Sequence, residues 1–337
     1  MRAAAAAAVT AAAAAVAGLG GLGGLGACSS FQDEDIVLDL RVLAMRASAP
    51  EQVVDVDLGS PPQPLDLLAQ LVPAEMCALV ADPSRDQRIR WSMTLCILDS
   101  DQRCDSDATV KLASGIADDP DTAQPAPRMC GTVQPDGGLL AILLEAAEGD
   151  PLAALGGIEY GISFAAGGEG DDPALDQFAG KRMRVVPRIP AARSANTNPS
   201  LAQLEVSVAG GEPVVLPPGR CIEQAAPIEL RPAQKMRITP IEPPGAREVY
   251  VVPRLDGEQQ TFTESLTYQW LASVGSFSSG STGGPRDLAG NPAPLFTDYR
   301  APKAEDLSGP TDVSLWIIQR DERLGAAWYE SCVRVVP

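Results

Sequence analysis

The apolar positions of this chain follow two regimes. Residues 3–17 are Ala and Val, broken only by Thr10, and residues 18–26 are Gly and Leu. From residue 37 the pattern changes to alternation, the period of a half-buried strand. Residues 37–45 form a β-rich, largely alternating run closed by Ser48-Ala49-Pro50. Residues 52–58 alternate again, with Val54, Val56 and Leu58 to one side. In residues 88–95, Ile89, Trp91 and Met93 share one face and Arg88, Arg90 and Ser92 the other. Residues 158–164 and 181–186 read as the closing strands of this half. Residues 138–148 are continuously apolar and end Glu-Ala-Ala-Glu, which suits a short helix.

Residues 188–200 have no period and are rich in turn formers, so a linker is placed there. Beyond it, strands are expected over residues 201–208, 235–241, 248–252, 266–273, 312–320 and 326–336. Residues 276–301 read as a Gly/Ser/Pro-rich loop. Residues 99–127 read as a polar, acidic insertion carrying Asp99, Asp101, Asp105, Asp107, Asp118, Asp119 and Asp121. The divisions are then residues 1–27 as a signal peptide and 28–36 as a tether. Residues 37–187 are a first β-sandwich with a loop-rich insertion and a short helix, 188–200 the linker, and 201–337 a second β-sandwich.

The first regime has its own chemistry. A basic Arg2, an apolar core and a small-residue stop make a secretory signal. The glycines at 18–26 argue against a spanning helix, which needs ~20 apolar residues. Leu25-Gly26-Ala27-Cys28 matches the lipobox of bacterial lipoproteins. Cys28 is therefore the expected lipid-attachment residue, because its thiol takes the acyl-bearing group. One chain holds a membrane weakly and several hold it stably, at about 0.8 kcal/mol per buried methylene. Ser29 and Ser30 follow, with no Asp to signal retention at the inner membrane. The expected location is the outer membrane, facing the periplasm or the cell surface.

Charge and composition narrow the function. Twenty-six Lys and Arg stand against 44 acidic residues, a net charge of -18, so no nucleic-acid partner is expected. The chain has no histidine. That removes His-activated Ser and Cys nucleophiles and the histidine-bearing zinc sites of hydrolases. No metal or cofactor is expected. Residues 99–121 do not meet the spacing of a calcium loop, because Arg103 stands where an oxygen ligand belongs and the required Gly is missing.

Setting Cys28 aside from the seven cysteines leaves six, an even number in an exported chain, where paired thiols are the rule. The linker divides them four and two. Cys221 and Cys332 are the pair of the second half. Cys96 and Cys104 are eight residues apart across an Asp-rich bend, which leaves Cys77 for Cys130.

The second half resembles immunoglobulin-like β-sandwich modules of bacterial surface proteins, including the polycystic-kidney-disease type. The resemblance lies in the Asp256-Gly257 turn, the strand Leu266-Thr-Tyr-Gln-Trp270, the Gly275-Ser-Phe277 turn and the penultimate strand Val313-Ser-Leu-Trp-Ile-Ile-Gln319. It implies that Trp270 packs across the sandwich. Taken whole, the chain is similar to uncharacterised envelope lipoproteins of Gram-negative bacteria. The fold expected is mainly β, with two immunoglobulin-like sandwiches in tandem. The function expected is that of a membrane-anchored, non-catalytic binding or structural module with an envelope protein or polysaccharide as partner. The alternative is a carbohydrate-active enzyme or lectin using acidic loop residues. Aromatics make up only 4% of the chain, which leaves few platforms for sugar stacking. Trp91, Trp270, Trp316 and Trp328 are read as core or strand-face residues.

Overall fold

The computed structural model describes residues 34–337 apart from 58, 60–62, 84–87, 118–128, 150–155 and 255. The expected signal peptide, Cys28 and most of the tether lie outside the described residues, as do Asp118, Asp119 and Asp121. Asp33–Pro337 form one compact unit.

The first half contains β1 (Arg41–Ala47), β2 (Glu51–Val54), β3 (Ala74–Ala81), β4 (Ile89–Cys96), β5 (Val110–Ala117), β6 (Met129–Val133), β7 (Ile158–Gly168) and β8 (Gln177–Pro187). Helices α1 (Pro64–Leu68) and α2 (Gly137–Gly149) lie between them. The second half contains β9 (Gln203–Val208), β10 (Val214–Val215), β11 (Ile228–Leu230), β12 (Lys235–Ile241), β13 (Val249–Pro253), β14 (Gln259–Thr263) and β15 (Thr267–Ala272). It continues with β16 (Ser276–Phe277), β17 (Ser281–Gly283), β18 (Thr297–Arg300), β19 (Thr311–Arg320) and β20 (Ala326–Val335).

The two halves repeat one topology. One sheet of each half runs β2-β8-β7-β4-β5 and β11-β20-β19-β15-β17 respectively, five strands in both. Each opens with a short strand parallel to the last strand of its half, β2 on β8 and β11 on β20. The facing sheets are β1-β3-β6 and β10-β9-β12-β18-β16. This is an immunoglobulin-like strand order, found twice in one mainly β chain. The tryptophans at the sandwich centres hold matching places. Trp91 lies on β4 and stacks on Phe164 at 6.1 Å. Trp270 lies on β15 and donates Nε1–H to Thr282 Oγ1 at 2.9 Å, so its polar atom is satisfied inside the core.

The cores follow from strand alternation. Ile89, Trp91, Met93 and Leu95 share the first core with Phe164 and Met183 of their own sheet and Met76 of the other. Tyr268, Trp270, Val313, Leu315 and Ile317 fill the second. The run Leu315-Trp-Ile-Ile of β19 is continuous because both faces of this strand are covered. Trp316 and Ile318 leave the second core and join Leu271, Leu43, Ala44 and Leu79 in a third cluster between the halves. The end of the expected tether is not free chain: Val37 N–H donates to Ala272 O at 2.9 Å and Ala272 N–H to Asp35 O at 3.0 Å.

Helix α2 begins where Asp136 Oδ1 accepts from Gly138 N–H and Leu139 N–H, at 2.9 and 3.1 Å, as an N-cap should. Leu139, Ile142 and Leu143 are its buried stripe.

Two expectations are corrected. The segment 99–127 is not loop throughout, because β5 lies within it and pairs with β4. Its exposed Lys111 and its glycine mask the alternation of an edge strand. Likewise 276–301 holds β16, β17 and β18, and Thr297 and Tyr299 of β18 are fully buried.

Candidate functional site

Among the described residues the structure contains three disulfides, Cys77–Cys130, Cys96–Cys104 and Cys221–Cys332. They are the pairs reached from spacing. Cys77 and Cys130 sit directly opposite on β3 and β6. Cys96–Cys104 closes a small loop that lies down on the first sandwich. Ser163 Oγ donates to Gln102 O at 2.8 Å, and the Arg103 guanidinium lies 4.1 Å over the Phe178 ring. Gly161 and Gly180 make the approach possible, since a Cβ on either would collide with Leu98.

Asp99 of this loop spends Oδ1 on the N–H groups of Asp101 and Arg103, both at 2.8 Å. Among the described residues one trio of potential metal ligands converges, Glu75, Cys77 and Cys130, and its two thiols are bonded to each other.

The densest chemistry lies where the halves meet, at residues that the sequence reading did not single out. Glu51 stands on β2 and is buried, 3% exposed. Its Oε1 accepts from Arg323 Nη2 at 2.6 Å and from Asn196 N–H at 3.3 Å. Its Oε2 faces Arg184 Nε at 3.8 Å and Arg193 Nη2 at 4.0 Å, both too far for a hydrogen bond. Arg323 belongs to the β19–β20 turn. Its Nη2 also donates to Ser194 O at 3.0 Å, and its guanidinium lies 4.6 Å over the Tyr250 ring. Its Nη1 is 3.5 Å from Glu248 and 3.6 Å from Glu264. One arginine thus joins the first sandwich, the linker and the β13–β14 hairpin.

The turn is held from all sides. Asp321 Oδ1 accepts from Arg323 N–H and Gly325 N–H, at 2.8 and 2.7 Å. Asn196 Nδ2 donates to Arg323 O at 2.8 Å and Asp321 Oδ2 at 3.1 Å. Asn198 ties Ala47 O to Ala326 N–H, at 2.7 and 3.0 Å. Lys181 Nζ, from β8, donates to Leu324 O. Linker residues rich in Asn therefore read as turn formers in sequence and serve as cross-braces in the fold.

Burial changes the acids and bases here. It pushes the Glu264 carboxyl up to about 7; the Glu248 N–H bond opposes the shift, and the charges of Asp321 and Glu248 add to it. Burial lowers the Lys181 ammonium to about 8 against the pull of Asp321. Burial also lowers Arg193, Glu51 opposes this, and Arg184 and Arg323 push the same way as burial. Tyr250 rises to about 12 through burial and its hydrogen bond to Glu322, at 2.7 Å.

Beside the cluster opens a cavity of about 420 Å³ whose lining includes Glu51, Arg184, Arg193, Tyr250, Arg254 and Arg323. Such a volume is within the range of small-molecule sites.

No family model matches the chain, and no curated protein matches it. Among solved structures it is similar to a red sea bream transglutaminase, at 8% identity and a TM-score of 0.24, over 89% of this chain and 32% of that one. A β-glucuronidase of Parabacteroides merdae aligns at 9% identity and a TM-score of 0.17, over 85% of this chain and 24% of that one. The collagen adhesin of S. aureus aligns at 7% identity and a TM-score of 0.16, over 88% and 93%. The chain thus spans about a third of the transglutaminase and a quarter of the glucuronidase. Likenesses this low identify no relative.

Proposed function

We propose that this chain is an outer-membrane lipoprotein, anchored through Cys28, whose two sandwiches act as a non-catalytic binding or structural module of the envelope. One observation carries the reading. Six of the seven cysteines are bonded to each other, so Cys28 has no cysteine partner left within the chain. It stands directly after an apolar leader and two small residues, where lipidation uses a thiol. Three disulfides also fit an oxidising compartment. The buried carboxylates support a binding or structural role over catalysis. Glu51 is held by guanidinium, and Glu264 is 2% exposed.

Cell fractionation tests this. Cys28→Ala is expected to give an unprocessed precursor absent from the outer membrane, while the parent chain takes up labelled fatty acid. Mature Cys28→Ala protein in the outer-membrane fraction refutes the anchor.

A further inference from the structure

We propose that the cavity between the two halves binds a small ligand carrying a carboxylate or phosphoryl group, gripped by Arg184 and Arg193 with Arg323 behind them. The proposal deepens the binding-module reading and rests on it.

Three guanidiniums gather on the single carboxylate of Glu51, and only Arg323 hydrogen-bonds to it. Arg184 and Arg193 share Oε2 at 3.8 and 4.0 Å. Among the described residues neither side chain makes a hydrogen bond. Arg184 is 24% exposed and also lies 3.7 Å from Glu159, and its Nε is buried without a hydrogen-bond partner. Arg193 is 12% exposed. Buried donors are normally satisfied, so the unpartnered Arg184 Nε, with Arg193 beside it at 4.0 Å from the same carboxylate, marks a place for another acceptor.

Arg323 has a different part. Its Nη2 is spent on Glu51 and Ser194, and Nη1 faces Glu248 and Glu264. It fixes Glu51 and leaves Arg184 and Arg193 held by ion pairs alone, their forks unspent on hydrogen bonds. The cavity lining holds four arginines, Arg184, Arg193, Arg254 and Arg323, against Glu51 and Glu322, in a chain of net charge -18. Glu322 already accepts from the Tyr250 hydroxyl. The apolar wall is Tyr250, Val252 and Pro253. Forked guanidiniums match planar carboxylate or phosphoryl oxygens, and the wall suits the carbon body of a small organic anion.

The test is calorimetric titration of the full chain, at an ionic strength held constant with sodium chloride. Inorganic phosphate probes the phosphoryl source and gluconate the carboxylate source. Saturable one-site binding of either is expected, and the probe that binds names the source. Arg193→Gln and Arg184→Gln should each weaken it about tenfold or more. Arg193→Lys, which keeps charge but loses the fork, should restore binding in part. An unchanged circular dichroism spectrum and melting midpoint certify each variant. Failure of both probes to saturate, or an affinity in the two Gln variants equal to that of the parent chain, overturns the site. Neither result bears on fractionation of Cys28→Ala, so the anchored-module reading stands or falls separately.

Discussion

Glu51 and Arg323 are 272 positions apart in sequence and meet at 2.6 Å with both side chains buried. An ion pair formed out of water repays its desolvation only when its geometry is good and its other atoms are engaged. Here the linker supplies that engagement through Asn196 N–H and Ser194 O. The pair therefore works as a register pin that sets how the second half seats on the first.

Removing one partner should cost more than removing both. Arg323→Met leaves Glu51 buried beside two guanidiniums that do not reach it, and a loss of about 3–5 kcal/mol is expected from urea unfolding. Glu51→Gln should cost less, because an amide still accepts from Arg323. The double variant Glu51→Leu with Arg323→Met should recover part of the loss. Additive losses in the double variant would show that the two residues act independently.

Glu264 gives the junction a pH dependence of known sign. Its carboxyl stands at about 7 in the fold and near 4.5 when unperturbed. Below that lower value both folded and unfolded chains carry the proton. Between the two values the unfolded chain has released it and the fold still holds it, so stability falls as pH rises through this window. The full cost, on the order of 3 kcal/mol, is present above about pH 7. Glu264→Gln cannot release a proton. The stability difference between variant and parent should therefore shift in favour of the variant from pH 5 to pH 8 in chemical denaturation. Parallel curves for the two proteins would rule the assignment out.

Much of the sandwich framework was legible because alternation is a local signal. Residues 88–95 and 266–273 showed their inward faces directly, and Trp91 and Trp270 proved to be the matched centres of the two sandwiches. Edge strands were harder to see. β5 presents Lys111 and Ser114 outward and pairs on one side only, so its sequence resembles a polar loop. The junction was hidden for a different reason. Glu51, Arg193, Glu264 and Arg323 come from four distant stretches, and each alone looks like an ordinary surface charge. Only the seating of one half on the other, through Trp316, Ile318 and Leu43, brings them together.

The disulfides should differ in what they contribute. Cys221–Cys332 spans 111 residues and joins the segment before β11 to β20, while Cys96–Cys104 spans eight. A bridge stabilises largely by limiting the unfolded chain, and its effect grows with the logarithm of the closed loop. On that model the long bridge contributes about 4–5 kcal/mol and the short one about 2–3. The native surroundings add to the contrast. Cys332 is fully buried on β20, whose neighbours include Val333 and Val335 of the second core. The loop closed by Cys96–Cys104 is also held by Gln102 O on Ser163 and by Arg103 on Phe178, contacts that survive loss of the bond. Cys221→Ser with Cys332→Ser should therefore lower the urea midpoint well below that of Cys96→Ser with Cys104→Ser. Equal midpoints for the two double variants would show that loop length does not govern stability in this fold.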